Sequence, residues 1–178
     1  MNLSISMQKV FMVSLIGTIV LIISLQIIGR NLVTPLSPMG IVSFEFSSNM
    51  QNADSIMSSW NETGKISAAL NLGLDYLFIL MYTTTLLSGC IVLTKCASYE
   101  KGKTIKYLSK VMIISSVVAA LLDVIENFAL IRILTGNGSD NLAALAMYCA
   151  IPKFILVGLV ILFIISLWSV RKLFNKTV

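Results

Sequence analysis

VMIISSVVAALLDVIENFALI, residues 111–131, is long enough to cross a lipid bilayer as one helix, yet it carries Asp123, Glu126 and Asn127. A helix needs about 20 apolar residues to span the hydrocarbon. On insertion scales each central ionised residue costs about 2.5–3.5 kcal/mol, while each Leu, Ile, Val or Phe returns about 0.3–0.6. The apolar residues here therefore offset only part of two acids. Those acids must be paired, wetted or used.

Outward from this stretch, the chain has the composition of a membrane protein. It is 57% hydrophobic and 12% charged, with a mean hydropathy of +0.91; soluble domains are about half apolar and about a quarter charged. Four apolar runs, centred on 10–29, 67–94, 107–131 and 148–168, qualify as spans. They predict an all-α integral membrane fold, a single four-helix transmembrane domain over 1–178 with an external cap at 31–66. The apolar core of the first run exceeds the roughly 7–15 residues of a signal peptide. Only Lys9 precedes it and no A-x-A site follows, so it reads as a retained helix.

Charge sets the expected orientation. Lys95, Lys101, Lys103, Lys106 and Lys110 crowd one connection, Arg171, Lys172 and Lys176 end the chain, and Lys9 begins it. The opposite connections, 31–66 and 135–147, hold one lysine and four acids. The positive-inside rule then places both termini in the cytoplasm of a multi-pass protein of the cell membrane. The Lys95–Lys110 loop is expected to meet anionic headgroups. No basic patch with interleaved aromatics points to nucleic acid. The three cysteines include no CxxC and fall at both ends of the bundle. There is no histidine, which removes the usual haem ligands and most zinc sites, so no metal or cofactor is expected.

In the cap, Pro35 and Pro38 predict an extended or turning start. The alternation in IVSFEF places Val42, Phe44 and Phe46 on one side and Ser43 and Glu45 on the other. Ser47 or Ser48 is in position to cap a short helix, in which Met50, Ala53, Met57 and Trp60 recur at helical spacing. That short extracytoplasmic amphipathic helix either lies at the interface, anchored by Trp60, or packs on the bundle. Ser115 with Ala119 and Ser116 with Ala120 mark close helix approach. Asn61-Glu62-Thr63 and Asn137-Gly138-Ser139 fit glycosylation sequons, but so do Asn2-Leu3-Ser4 and Asn175-Lys176-Thr177 on the other side, so the motif carries no weight.

With this topology the strongly polar intramembrane groups fall in the outer half. Asp75, Asp123 and Glu126 are acids; Arg30, Arg132 and Lys153 are bases. Residues three and four apart share a helix face, so Asp123, Glu126 and Asn127 form one patch, while Asp75 and Tyr82 line a stripe on the second helix with Phe78 beside them. Intramembrane ionisable residues are by default a functional hypothesis. The expected site is a carboxylate-lined pocket for a membrane lipid or small amphipathic ligand, built from Asp75, Phe78, Tyr82, Asp123, Glu126, Asn127, Arg132 and Lys153. The acids are expected to pair with Arg132 or Lys153. Four alternatives stand beside it: an enzyme using paired carboxylates as acid and base on a lipid, a buried network that only fixes helix register, ion or proton movement, for which a homo-oligomer rather than a monomer is required, and an accessory subunit docking another membrane protein.

GIVSFEF, Trp60, LGLDYLF and LLDVIEN together resemble small four-helix membrane proteins of bacteria to which no activity is attached. The resemblance implies a fold and no catalytic residue. The chain is also similar in fold to four-helix sterol-isomerase-like membrane proteins, which bury carboxylates. The active-site histidine of those isomerases has no counterpart here.

Overall fold

Residues 2–174 are described by the computed structural model, with side chains from 6–94 and 102–169. The chain is 88% helical, and among the described residues no strand is formed. The helices are α1 (Asn2–Gly29), α2 (Ile41–Glu45), α3 (Met50–Ser59), α4 (Glu62–Leu134) and α5 (Asp140–Phe174), with a 3-10 turn at Arg30–Leu32. Four segments are long and apolar enough to cross a membrane: Ser6–Leu32, Glu62–Thr94, Gly102–Leu134 and Asp140–Ser169. Each contains one of the apolar runs.

α4 is hydrogen-bonded as helix over 73 residues, which as a straight rod is about 110 Å. It is not a rod. Tyr82 touches Asp123 and Asp75 touches Asn127, pairings that require the chain to fold back near their midpoint. Gly102, with φ +29, lies there; a side chain at such a φ is strained, and glycine has none. The two arms of α4, Glu62–Thr94 and Gly102–Leu134, are thus antiparallel neighbours.

α1 packs on the first arm. Thr18 and Thr85 hydroxyls meet at 3.0 Å, Asn71 Nδ2 donates to Leu25 O at 3.0 Å, and Gly17 lies under the Met81 thioether. α5 packs on both arms, with Val160 buried among Ile79, Tyr82, Leu86 and Cys90. The order is up-down-up-down, as short connections dictate. Both α1 and α5 pack along α4 but have no extended contact with each other. A gap between them remains.

The end of the bundle where α1 finishes is closed by α2 and α3. Small residues let the elements approach: Ala53, Ala68, Ala129, Ala143 and Ala146 are fully buried around Leu32, Phe44 and Trp60. α3 is capped by Asn49, whose side chain accepts from Asn52 N at 2.9 Å, rather than by Ser47 or Ser48. Ser47 instead donates to Phe44 O. The expected apolar stripe is there, with Gln51, Asp54 and Ser58 exposed. Of the two expected settings for α3, packing on the bundle is the one adopted. Trp60 is buried, and its Nε1 donates to Leu32 O at 3.0 Å and Ser37 Oγ at 3.3 Å. Ser37 Oγ is itself bonded to Leu32 O.

IVSFEF departs from its alternating pattern. It is the helix α2, because no partner strand is available and a helix satisfies its own backbone groups in apolar surroundings. Gly40, at φ +61, turns the chain into it. Phe44 then packs edge-on against Trp60, and Phe46 stacks on Phe154 of α5 at 6.1 Å. Val42 and Glu45, three apart, share the face turned toward the bundle interior. α2 therefore enters the bundle rather than merely covering it.

In the basic connection, Lys103, Lys106 and Lys110 are exposed, as is Lys9. The side chains of Lys95, Cys96, Lys101, Arg171, Lys172 and Lys176, and the two terminal sequons, lie outside the described residues. Cys90 and Cys149 are buried free thiols.

Candidate functional site

Lys153 is held inside the bundle by α5, immediately after Pro152. A proline there removes one helical hydrogen bond, so α5 is locally weakened where the buried Lys153 stands. The ammonium lies 3.0 Å from Asp123 Oδ1 and 2.8 Å from each Glu126 oxygen, of which Oε1 is aligned as acceptor. Glu45, arriving on α2, puts its Oε2 3.8 Å from the same nitrogen. Lys153 also sits over the Phe154 ring at 4.7 Å. Asp123 and Glu126, three apart on α4, present adjacent carboxylates to α5 by helical geometry alone.

The second oxygen of Asp123 accepts from Tyr82 Oη at 2.9 Å. Asn127 Nδ2 donates to Asp75 Oδ2. These two bonds tie the arms of α4 together, and the convergence of the Asp75 and Asp123 stripes is as expected. Five of the eight expected residues, Tyr82, Asp123, Glu126, Asn127 and Lys153, are buried. Asp75 and Phe78 are half-buried, and Phe78 packs on Tyr82 with centroids 5.2 Å apart.

Arg132 is a correction. It is exposed and lines no part of the site, since its long side chain leaves the helix end for solvent rather than turning inward. Arg30 is likewise exposed, at the cavity mouth. The expected balance of three acids and three bases therefore fails. Four carboxyls, Glu45, Asp75, Asp123 and Glu126, converge around one ammonium.

Glu45 was missed because its alternating context read as an outer cover. A signal was present: it is the sole charged residue between Arg30 and Asp54, and phenylalanines flank it. Burial pushes its carboxyl above the usual carboxylate range. Lys153 and a hydrogen bond with Glu126 oppose that shift, and Asp123 adds to it. A bond between two carboxyls needs a proton on one of them. Glu45 Oε2 is buried without a hydrogen-bond partner, and Glu126 Oε2, although 2.8 Å from the Lys153 ammonium, is not aligned as its acceptor.

In front of this cluster is a cavity of about 630 Å³. Its polar end is formed by Glu45, Asp75, Asp123, Asn127 and Lys153; Glu126 stands behind Lys153 and does not line it. Its long apolar part runs between Leu15 and Ile22 of α1, Phe78 and Leu86 of α4, and Val157 and Ile161 of α5. Phe11 and Ile164 converge over Gly89 at the far end of this apolar part. Residues of both α1 and α5 contribute to its walls. Among the described residues no group of His, Cys, Asp and Glu is arranged to hold a metal ion.

No protein-family model matches this chain, and no curated protein or solved structure matches it either.

Proposed function

We propose that this chain is a multi-pass membrane protein with both termini cytoplasmic, which binds one lipid-like or small amphipathic molecule in the cavity between α1, α4 and α5. The carrying observation is the cavity's pairing of a charged cluster at Lys153 with an apolar trough walled by α1, α4 and α5. Ligand pockets span about 300–1,000 Å³ and combine apolar walls with a few convergent polar groups; this one has that size and that lining. In the proposed orientation the charged end lies in the outer half of the bilayer, and the cavity is entered from the acyl chains between α1 and α5. A ligand reaches it from the membrane without crossing water, its tail along Ile22 and Ile161 and its polar head among the carboxyls.

Native mass spectrometry of the protein purified in a mild non-ionic detergent tests this reading. A discrete added mass is expected, and Ile161→Trp, which fills the trough, is expected to remove it. A clean apo mass for the unmodified protein, after extraction conditions that preserve bound lipid, sinks the proposal.

A further inference from the structure

Building on that reading, we propose that the head of the bound molecule is cationic: an amphiphile bearing an ammonium-type nitrogen, seated between the carboxyls of Glu45 and Asp75 and the rings of Phe78 and Tyr82.

The first support is charge. Lys153 directs its hydrogen bonds to Asp123 and Glu126, and Glu45 stands off at 3.8 Å. Asp75 receives only the neutral amide of Asn127 among its direct partners. Arg132 lies off the cavity and Arg30 lines it, but among the described residues neither forms an ion pair with Glu45 or Asp75. The two carboxyls least satisfied by Lys153, Glu45 and Asp75, are both cavity-lining. An anionic head there meets like charge, and buried like charges repel strongly. A hydroxyl head supplies one proton and no charge. A protonated amine supplies both donors and the missing positive charge.

The second support is the local geometry of the seat. Glu45 lines the cavity, and its Oε2 is buried there without a hydrogen-bond partner. Beside Asp75, Phe78 and Tyr82 form an aromatic pair with centroids 5.2 Å apart, and both line the cavity. Ring faces attract ammonium groups when these are desolvated. Lys153 already uses such a contact on Phe154. Carboxylate oxygens and aromatic faces together select a cation.

Three probes of one chain length separate the possibilities: dodecylammonium, dodecanol and dodecanoate, each titrated onto the full chain in maltoside micelles and read by native mass spectrometry. Dodecylammonium is expected to bind at least about tenfold more tightly than either of the others, a factor worth about 1.4 kcal/mol. Glu45→Gln, a near-isosteric change outside the spans, is expected to narrow that ratio; Asp75→Asn is expected to narrow it further. Equal or tighter binding of dodecanol or dodecanoate overturns the cationic head while leaving the pocket standing. Binding of none of the three overturns both. A ratio unmoved by either substitution assigns the preference elsewhere and overturns the proposed seat.

Discussion

Lys153 Nζ and Asp123 Oδ1, thirty residues apart in sequence, lie 3.0 Å apart in the interior, and this bond joins α5 to the second arm of α4. Glu126 completes the clamp at 2.8 Å. Removing one partner of a buried pair leaves an uncompensated charge and costs about 3–5 kcal/mol. Lys153→Met should lower thermal stability in detergent accordingly. Glu126→Gln added to it should recover part of the loss, because the two residues are directly coupled. Additive losses in a double-mutant cycle would contradict the clamp.

Tyr82 fixes the other side of Asp123. A hydrogen bond to a charged group contributes about 1.5–3 kcal/mol, and Tyr82→Phe removes the donor while keeping the ring. Unfolding of that variant should begin at a lower temperature. A variant as stable as the parent would show that Asp123 is satisfied without the phenol.

Glu45 gives the fold a pH dependence of defined sign. Burial raises its carboxyl pKa above the unfolded value, which is about 4.3. Its contribution to stability is then fully present below the unfolded pKa and is lost as pH rises through the folded one. Glu45→Gln abolishes that loss. Relative to the parent, the variant should gain stability as pH rises above the unfolded value of about 4.3, followed by thermal unfolding across a buffer series. A difference that is flat with pH, or that grows toward acid, contradicts the assignment.

The reversal of α4 rests on Gly102. Alanine at a positive φ destabilises by more than about 0.4–1 kcal/mol, so Gly102→Ala should lower stability. Gly73 has open space around it and an ordinary helical setting. There Gly73→Ala should be neutral or stabilising, because alanine favours a helix interior by about 1 kcal/mol over glycine. If the two changes have the same effect, the turn lies elsewhere.

Much of the site was legible before any coordinates, and the reason is energetic. Polar side chains in apolar helices are costly enough to betray themselves, so Asp75, Asp123, Glu126, Asn127 and Lys153 stand out by residue type and spacing. Arg132 misled because a long cation near a helix end is free to turn outward, and sequence position does not record which way it turns. Glu45 was overlooked because its segment is five residues of helix, too short for periodicity to tell it from a strand.

What the sequence determined by itself was the presence of four helices long and apolar enough to cross a membrane and the spacing of their polar groups, because a helix of fixed rise and pitch translates residue number directly into height and face. What only the tertiary structure decided was the pairing: which acids reach Lys153, that α2 carries Glu45 down to it, and that α1 and α5 stand apart to leave a cavity. Those outcomes depend on contacts between segments distant in the chain, set by side-chain volume and the close approach of alanine-rich faces, and no local pattern encodes them.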